Sequence, residues 1–132
     1  MDLGLGRIGQ IAQGATDIEA SIKFYTEVMG LRIALRPQPG MVFFDCAGQY
    51  LLVEKAQSGE HRGPGSVLYF DCHDLALCVR EMESRGVTFT HKPHRIAQMP
   101  SYDLWMAFFE DPDKHLLALQ MRAPKGYAWP KS

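Results

Sequence analysis

The chain has 132 residues, 46% of them hydrophobic, and its 14 basic and 15 acidic side chains leave a net charge of −1. That is enough apolar material for one domain that needs no disulfide or structural metal, and the balanced charge excludes the cationic footprint of a nucleic-acid binder. No apolar run reaches the length of a membrane span, and the N-terminus lacks the basic start and hydrophobic middle of a secretory leader, which predicts a soluble, cytoplasmic protein without membrane partners.

Gly4, Gly6 and Gly9 match the dinucleotide-binding spacing G-x-G-x-x-G. Such a motif must follow a buried strand and open a helix, so that helix N–H groups can approach a pyrophosphate. Only three residues precede Gly4, and Ile8, Ile11 and Ala15 after it read as a strand, so the glycines are taken as a small-residue lead into that strand. Thr16 or Asp17 then caps a helix, with Glu19 placed as in a capping box; Ile18, Ile22, Tyr25 and Met29 recur at helical spacing, and Gly30 stops it. Three short apolar stretches follow, Leu31 to Leu35, Met41 to Cys46 and Tyr50 to Val53, separated by the turn compositions RPQPG and AGQ. The polar, glycine-rich segment 56–65 reads as a linker.

The pattern then repeats. SVLYFDC is a strand, Asp74 caps a helix whose apolar face is Leu75, Val79 and Met82, and Gly86 ends it; VTFTH, LWMAFFED and HLLALQM follow as strands, with Asp111-Pro112-Asp113 as the last turn. One domain over 1–132 is therefore predicted, with module one at 8–55, module two at 66–121 and a C-terminal tail at 122–132, each module β-α-β-β-β. Cys46, Cys72 and Cys78 are odd in number, lack C-x-x-C spacing and sit among apolar neighbours, which predicts free thiols in a reducing compartment.

With these elements in place the sequence resembles the vicinal oxygen chelate superfamily, which groups glyoxalase I, bleomycin-resistance proteins, extradiol dioxygenases and methylmalonyl-CoA epimerases. The resemblance is carried by DIEASIKFYTEVMGL at 17–31, RGVTF at 85–89 and MAFFEDPDKHLLAL at 106–119, and covers about residues 7–122. It implies an α+β fold in which two βαβββ modules form a curled mixed sheet with a cleft, and it implies a homodimer. In the family's metal enzymes four ligands project inward from the first and last strand of each module; carried over by motif, those positions hold Gln10, Glu54, Val67 and Ala118. Neither valine nor alanine can donate a lone pair, and a catalytic ion usually has three protein ligands. His73, His91, His94 and His115 do not repair the set, since they fall at a helix start, beside a proline and after a turn.

The leading expectation is therefore a metal-independent member, without cofactor, that binds a small, partly aromatic molecule, similar to the bleomycin-resistance branch. Its cleft would be lined by Gln10, Phe44, Glu54, Val67, Tyr69, His94, Tyr102, Trp105 and Ala118, with His94 in a loop before the aromatic strand. A rival resembles glyoxalase I or the epimerases: a lyase or isomerase holding Ni, Zn, Fe, Co or Mn on Gln10 and Glu54, with Glu54 as general base. A third reading is a non-catalytic interaction module.

Overall fold

The computed structural model describes residue 4, residues 10–56 and residues 66–131. The nucleotide-like glycines Gly6 and Gly9, and most of the linker, lie outside the described residues. The chain divides into two compact units, residues 1–62 and 63–132. The first holds β1 (Gln10–Ala15), α1 (Ile18–Lys23) running into a π-helical turn (Phe24–Val28), β2 (Arg32–Gln38), β3 (Met41–Cys46) and β4 (Gln49–Lys55). The second holds β5 (Leu68–Asp71), α2 (Leu75–Ser84), β6 (His91–Gln98), β7 (Asp103–Glu110) and β8 (Leu116–Ala123).

Each unit builds one four-stranded mixed sheet, ordered β1-β4-β3-β2 in the first and β5-β8-β7-β6 in the second. In both, the first strand pairs parallel to the last, and the remaining pairs are antiparallel. A parallel pair cannot be joined by a hairpin, so the intervening helix crosses one face of the sheet. That helix covers one face and leaves the other without a layer from its own unit.

The helix signals act as the sequence predicts, with local differences. The Asp17 carboxylate accepts the N–H groups of Glu19 and Ala20 at 3.1 and 3.2 Å, so Asp17 rather than Thr16 is the N-cap. Glu19 does not close a capping box but pairs with Arg36 of β2. The predicted single helix over 17–30 is regular only to Lys23 and then widens into the π turn, where the Thr26 hydroxyl donates to the Ile22 carbonyl at 2.6 Å. Asp74 caps α2 by accepting from Leu77 N–H at 3.1 Å. No helix among the described residues is long and apolar enough to cross a membrane.

In the first unit Tyr25 is fully buried against Phe44, ring centroids 5.3 Å apart, with Val42, Leu51 and Val53 around them. The Tyr25 hydroxyl donates to Gln13 Oε1 at 2.9 Å, which satisfies both buried polar groups. In the second unit Leu75, Val79 and Met82 are buried with Ala107, Phe109, Leu117 and Leu119. Each large side chain so buried contributes about 1.5–3 kcal/mol relative to exposure.

Two predicted turns or loops are strand. Arg36 to Gln38, read as part of a turn, extend β2; His91 to Gln98, read mostly as a loop, form β6. Each contains a proline, Pro37 or Pro93, and each is the terminal strand of its sheet, where a missing N–H breaks no ladder hydrogen bond. Conversely Val87 to Thr90, predicted as strand, precede β6 without belonging to it, because Phe89 turns inward to pack on Phe109 at 5.5 Å. SVLYFDC shortens to β5, leaving Val67 just before it.

β3 and β4 are joined by two residues, Ala47 (φ 54°) and Gly48 (φ 92°), both left-handed as in a type I′ hairpin turn. Alanine is costly there, whereas asparagine tolerates the region. We expect Ala47→Asn to stabilise the protein by about 1 kcal/mol, read as a rise of about 4 °C in the thermal unfolding midpoint.

Candidate functional site

Strand alternation and pairing register assign the candidate side chains that lie in strands to the helix-covered or the open face of their sheet. In the first unit Tyr25 fixes the phase. It touches Phe44 and Gln13, so Ile11, Gln13, Val42, Phe44, Leu51 and Val53 face the helix. The open face then carries Gln10 and Tyr50 at one register position, Ala12, Leu52 and Phe43 at the next, and Glu54 beside Met41 at the third. Phe43 and Tyr50 meet edge-on at 5.9 Å, and Tyr50 is 47% exposed.

Phe44, predicted in the ligand cleft, is therefore a core residue with no exposure, because even-numbered positions of β3 point toward Tyr25. Gln10 and Glu54 do share the open face, but they do not share a place on it. Gln10 pairs with Tyr50 and Glu54 with Gly14, four residues further along the strands, or about 13 Å of backbone. Glu54 instead lines an open groove of about 480 Å³ with Gln38, Met41 and Lys55.

In the second unit α2 sets the phase. Leu75 N–H points at the Met121 sulfur at 3.4 Å, so Met121 and its register partner Trp105 face the helix side, together with Asp103, Ala107 and Phe109. Met106 and Phe108 face the other way. Tyr69 pairs with Ala118, Ala118 with Phe108, and Phe108 with His91, which sets one row across all four strands on the open face. Tyr69 meets Phe108 edge-on at 6.2 Å and His91 meets it at 5.4 Å; between the strands of the two larger rings Ala118 is fully buried. The next row is polar. His94 pairs with Met106 and Met106 with Gln120, whose amide donates to Asp71 Oδ1 at 2.7 Å.

The structure thus brings together Tyr69, Ala118 and His94 on one face and adds Phe108 and His91, which sequence reasoning left unassigned. The predicted loop position of His94 is corrected to β6, where its Nδ1 lies 2.8 Å from the Lys92 carbonyl. Tyr102 lies in the turn before β7, half-buried, with the Arg122 guanidinium 5.5 Å from its ring centre. Val67 is half-buried ahead of β5.

Trp105 is the second correction. It stacks on Trp129 of the C-terminal tail at 5.6 Å and meets Tyr127 edge-on at 5.5 Å, on the helix side of the sheet, away from the aromatic row. Its indole N–H is buried without a partner. Asp103, itself 2% exposed, anchors the tail by accepting from Lys125 Nζ at 2.9 Å and from Gly126 N–H at 3.1 Å.

A divalent ion of the kind the resemblance implies does not fit these residues. Val67 and Ala118 offer no donor, Ala118 is sealed, and Gln10 and Glu54 start from register positions about 13 Å apart. Among the described residues no three His, Cys, Asp or Glu side chains gather as a metal-holding group.

The sequence profile of the glyoxalase/bleomycin resistance protein/dioxygenase superfamily matches residues 7–119, and the chain belongs to this superfamily. Solved structures share the fold at low identity. An antibiotic-binding protein from Streptomyces sp. CB03234, TnmS3, is 22% identical with a TM-score of 0.71, over 92% of this chain and 100% of that one. A lactoylglutathione lyase from Agrobacterium tumefaciens is 23% identical at TM-score 0.70, over 89% and 95%. A protein from the mobile metagenome of V. pseudocholerae is 18% identical at TM-score 0.76, over 92% and 98%. No curated protein matches the chain.

The tail anchor gives a pH test. The hydrogen bond from Lys125, then that from Gly126, holds the Asp103 carboxyl below the usual carboxylate range. A lowered folded-state value means that the contribution to stability is present above the ordinary carboxyl pKa of about 3.9 and is lost as pH falls through the folded value. Asp103→Asn should lower the unfolding midpoint at neutral pH, and the gap from wild type should close as the pH is taken down through that acid window.

Proposed function

We propose that this protein binds a small, planar or amphipathic aromatic molecule without a metal ion, laying it on the open sheet face of the second unit. The observation that carries the reading is the row Tyr69–Ala118–Phe108–His91. Tyr69 keeps 48% of its surface exposed although it is packed against Phe108, so it offers an aromatic face fixed by its neighbour. Aromatic partners stacked or edge-on at such sites contribute about 0.5–1.5 kcal/mol beyond the area they bury. His94, Gln120 and Asp71 in the adjoining row supply the few polar contacts that orient such a ligand. In the first unit Phe43 and Tyr50, with Gln10 beside Tyr50, offer a smaller surface of the same kind.

The likeness to TnmS3, which is described as an antibiotic-binding protein, supports a binding role on this fold. The lyase reading has less support. An enolate formed by Glu54 would lack the cation that stabilises it, and Glu54 stands among Gln38, Met41 and Lys55 rather than beside Gln10.

The test is titration with a panel of planar aromatic compounds in EDTA, followed by calorimetry and by NMR of assigned side chains. Shifts should concentrate on Tyr69, Phe108 and His91. Tyr69→Ala should weaken binding about tenfold, the equivalent of about 1.4 kcal/mol, while Trp105→Phe should leave it within twofold. Equal affinity in Tyr69→Ala and wild type, or binding that requires an added divalent ion, would overturn the reading.

A further inference from the structure

The open face of the second unit continues past its polar row. Arg122, two residues beyond Gln120 on β8, pairs with Leu104 of β7 and is the next side chain on that face, since the β7–β8 ladder keeps one register from Asp103 to Glu110. From Ala118 to Arg122 is four residues, or about 13 Å of strand. The face therefore changes in one direction, from the rings of Tyr69 and Phe108, through Met106 and Gln120, to a guanidinium.

Arg122 is held in place without being neutralised. It is exposed, and its guanidinium carbon lies 5.5 Å from the centre of the Tyr102 ring, in the turn that leads into β7. Such a contact restrains the side chain and leaves its N–H groups free to donate to an oxyanion. Among the described residues no carboxylate comes within ion-pairing distance of Arg122, whereas Arg36 pairs with Glu19 and Arg85 with Glu81. Arg122 also borders an open groove of about 820 Å³ that carries Asp71 and Asp74. Those carboxylates accept from the Gln120 amide at 2.7 Å and from Leu77 N–H at 3.1 Å, and their charge disfavours an anion on the groove side. The Tyr102 side of the guanidinium is left for one.

Resting on the reading of Tyr69 and Phe108 as the platform for a ring, we infer that the ligand is an aromatic acid and that Arg122 selects it by its charge. The ring lies on Tyr69 and Phe108, a spacer crosses Met106 and Gln120, and a carboxylate at the far end accepts from the guanidinium. Arg122 is a specificity determinant, and the rings supply the larger share of the affinity, because an ion pair at an exposed site is weakened by solvent and salt.

The test compares two synthetic compounds in EDTA: a planar aryl ring on a spacer that covers about 13 Å of strand and ends in a carboxylate, and the same molecule ending in a carboxamide. Calorimetry is run at about 0.01 M and about 1 M salt, with NMR of the assigned rings. Wild type should prefer the carboxylate about tenfold at the lower salt, and the preference should shrink at the higher. Arg122→Gln should bring the two compounds within about twofold of each other while the carboxamide binds as before, and Arg122→Lys should keep part of the preference. Tyr69→Ala should weaken both compounds by the same factor. Equal wild-type affinities with shifts still on Tyr69 and Phe108 would overturn the charge selection and leave the aromatic face standing. A preference that survives in Arg122→Gln would overturn it as well. If neither compound shifts Tyr69 or Phe108, the aromatic face itself falls, and the selection by Arg122 with it.

Discussion

Each half of this molecule depends on pairing its first strand parallel to its last. Parallel neighbours need a crossover, the crossover is a helix, and the helix covers one face of the sheet. Because side chains alternate along a strand, apart from the register shifts in β2 and β6, covering one face fixes which residues line the other. Tyr25 against Phe44 and α2 against Met121 set that choice in the two halves. Everything the open faces offer, including the aromatic row on the second, follows from those contacts.

The elements were largely legible in the sequence, and the side-chain assignments only partly. Asp17 and Asp74 as caps, glycines after each helix and the doubled β-α-β-β-β order are local signals, and they hold. The aromatic stretch around Trp105 shows where such reading runs out. Alternation says that half of it faces each way, but no local feature says which half. Trp105 went to the helix side because it is in register with Met121; Phe108, three residues on, took the open face. Phe44 went wrong for the same reason. Its burial depends on Tyr25, nineteen residues earlier in the chain.

The metal positions implied by resemblance show a second limit. Gln10 and Glu54, the positions the motif spacing picks out, share one sheet face, but spacing along the chain does not measure spacing across a ladder. The parallel register of β1 on β4 sets them four residues apart. At Ala118, a position the resemblance assigns to a ligand, a fully buried methyl group lies in the row between Tyr69 and Phe108, where a coordinating side chain would need room to project.

The prolines in the terminal strands also bear on how the protein survives in a crowded cell. β2 is solvent-exposed at all its positions, with Ile33 and Leu35 at 45% and 58%, and such a strand is a template for pairing with a stranger. Pro37 in β2 and Pro93 in β6 each withhold one N–H donor from the outer edge of the sheet, and Arg32, Arg36, Lys92 and Arg95 add charge along the same strands. The chain can thus keep Ile33 and Leu35 exposed on the terminal strand of the first sheet without presenting the unbroken, uncharged edge that stacks into fibres.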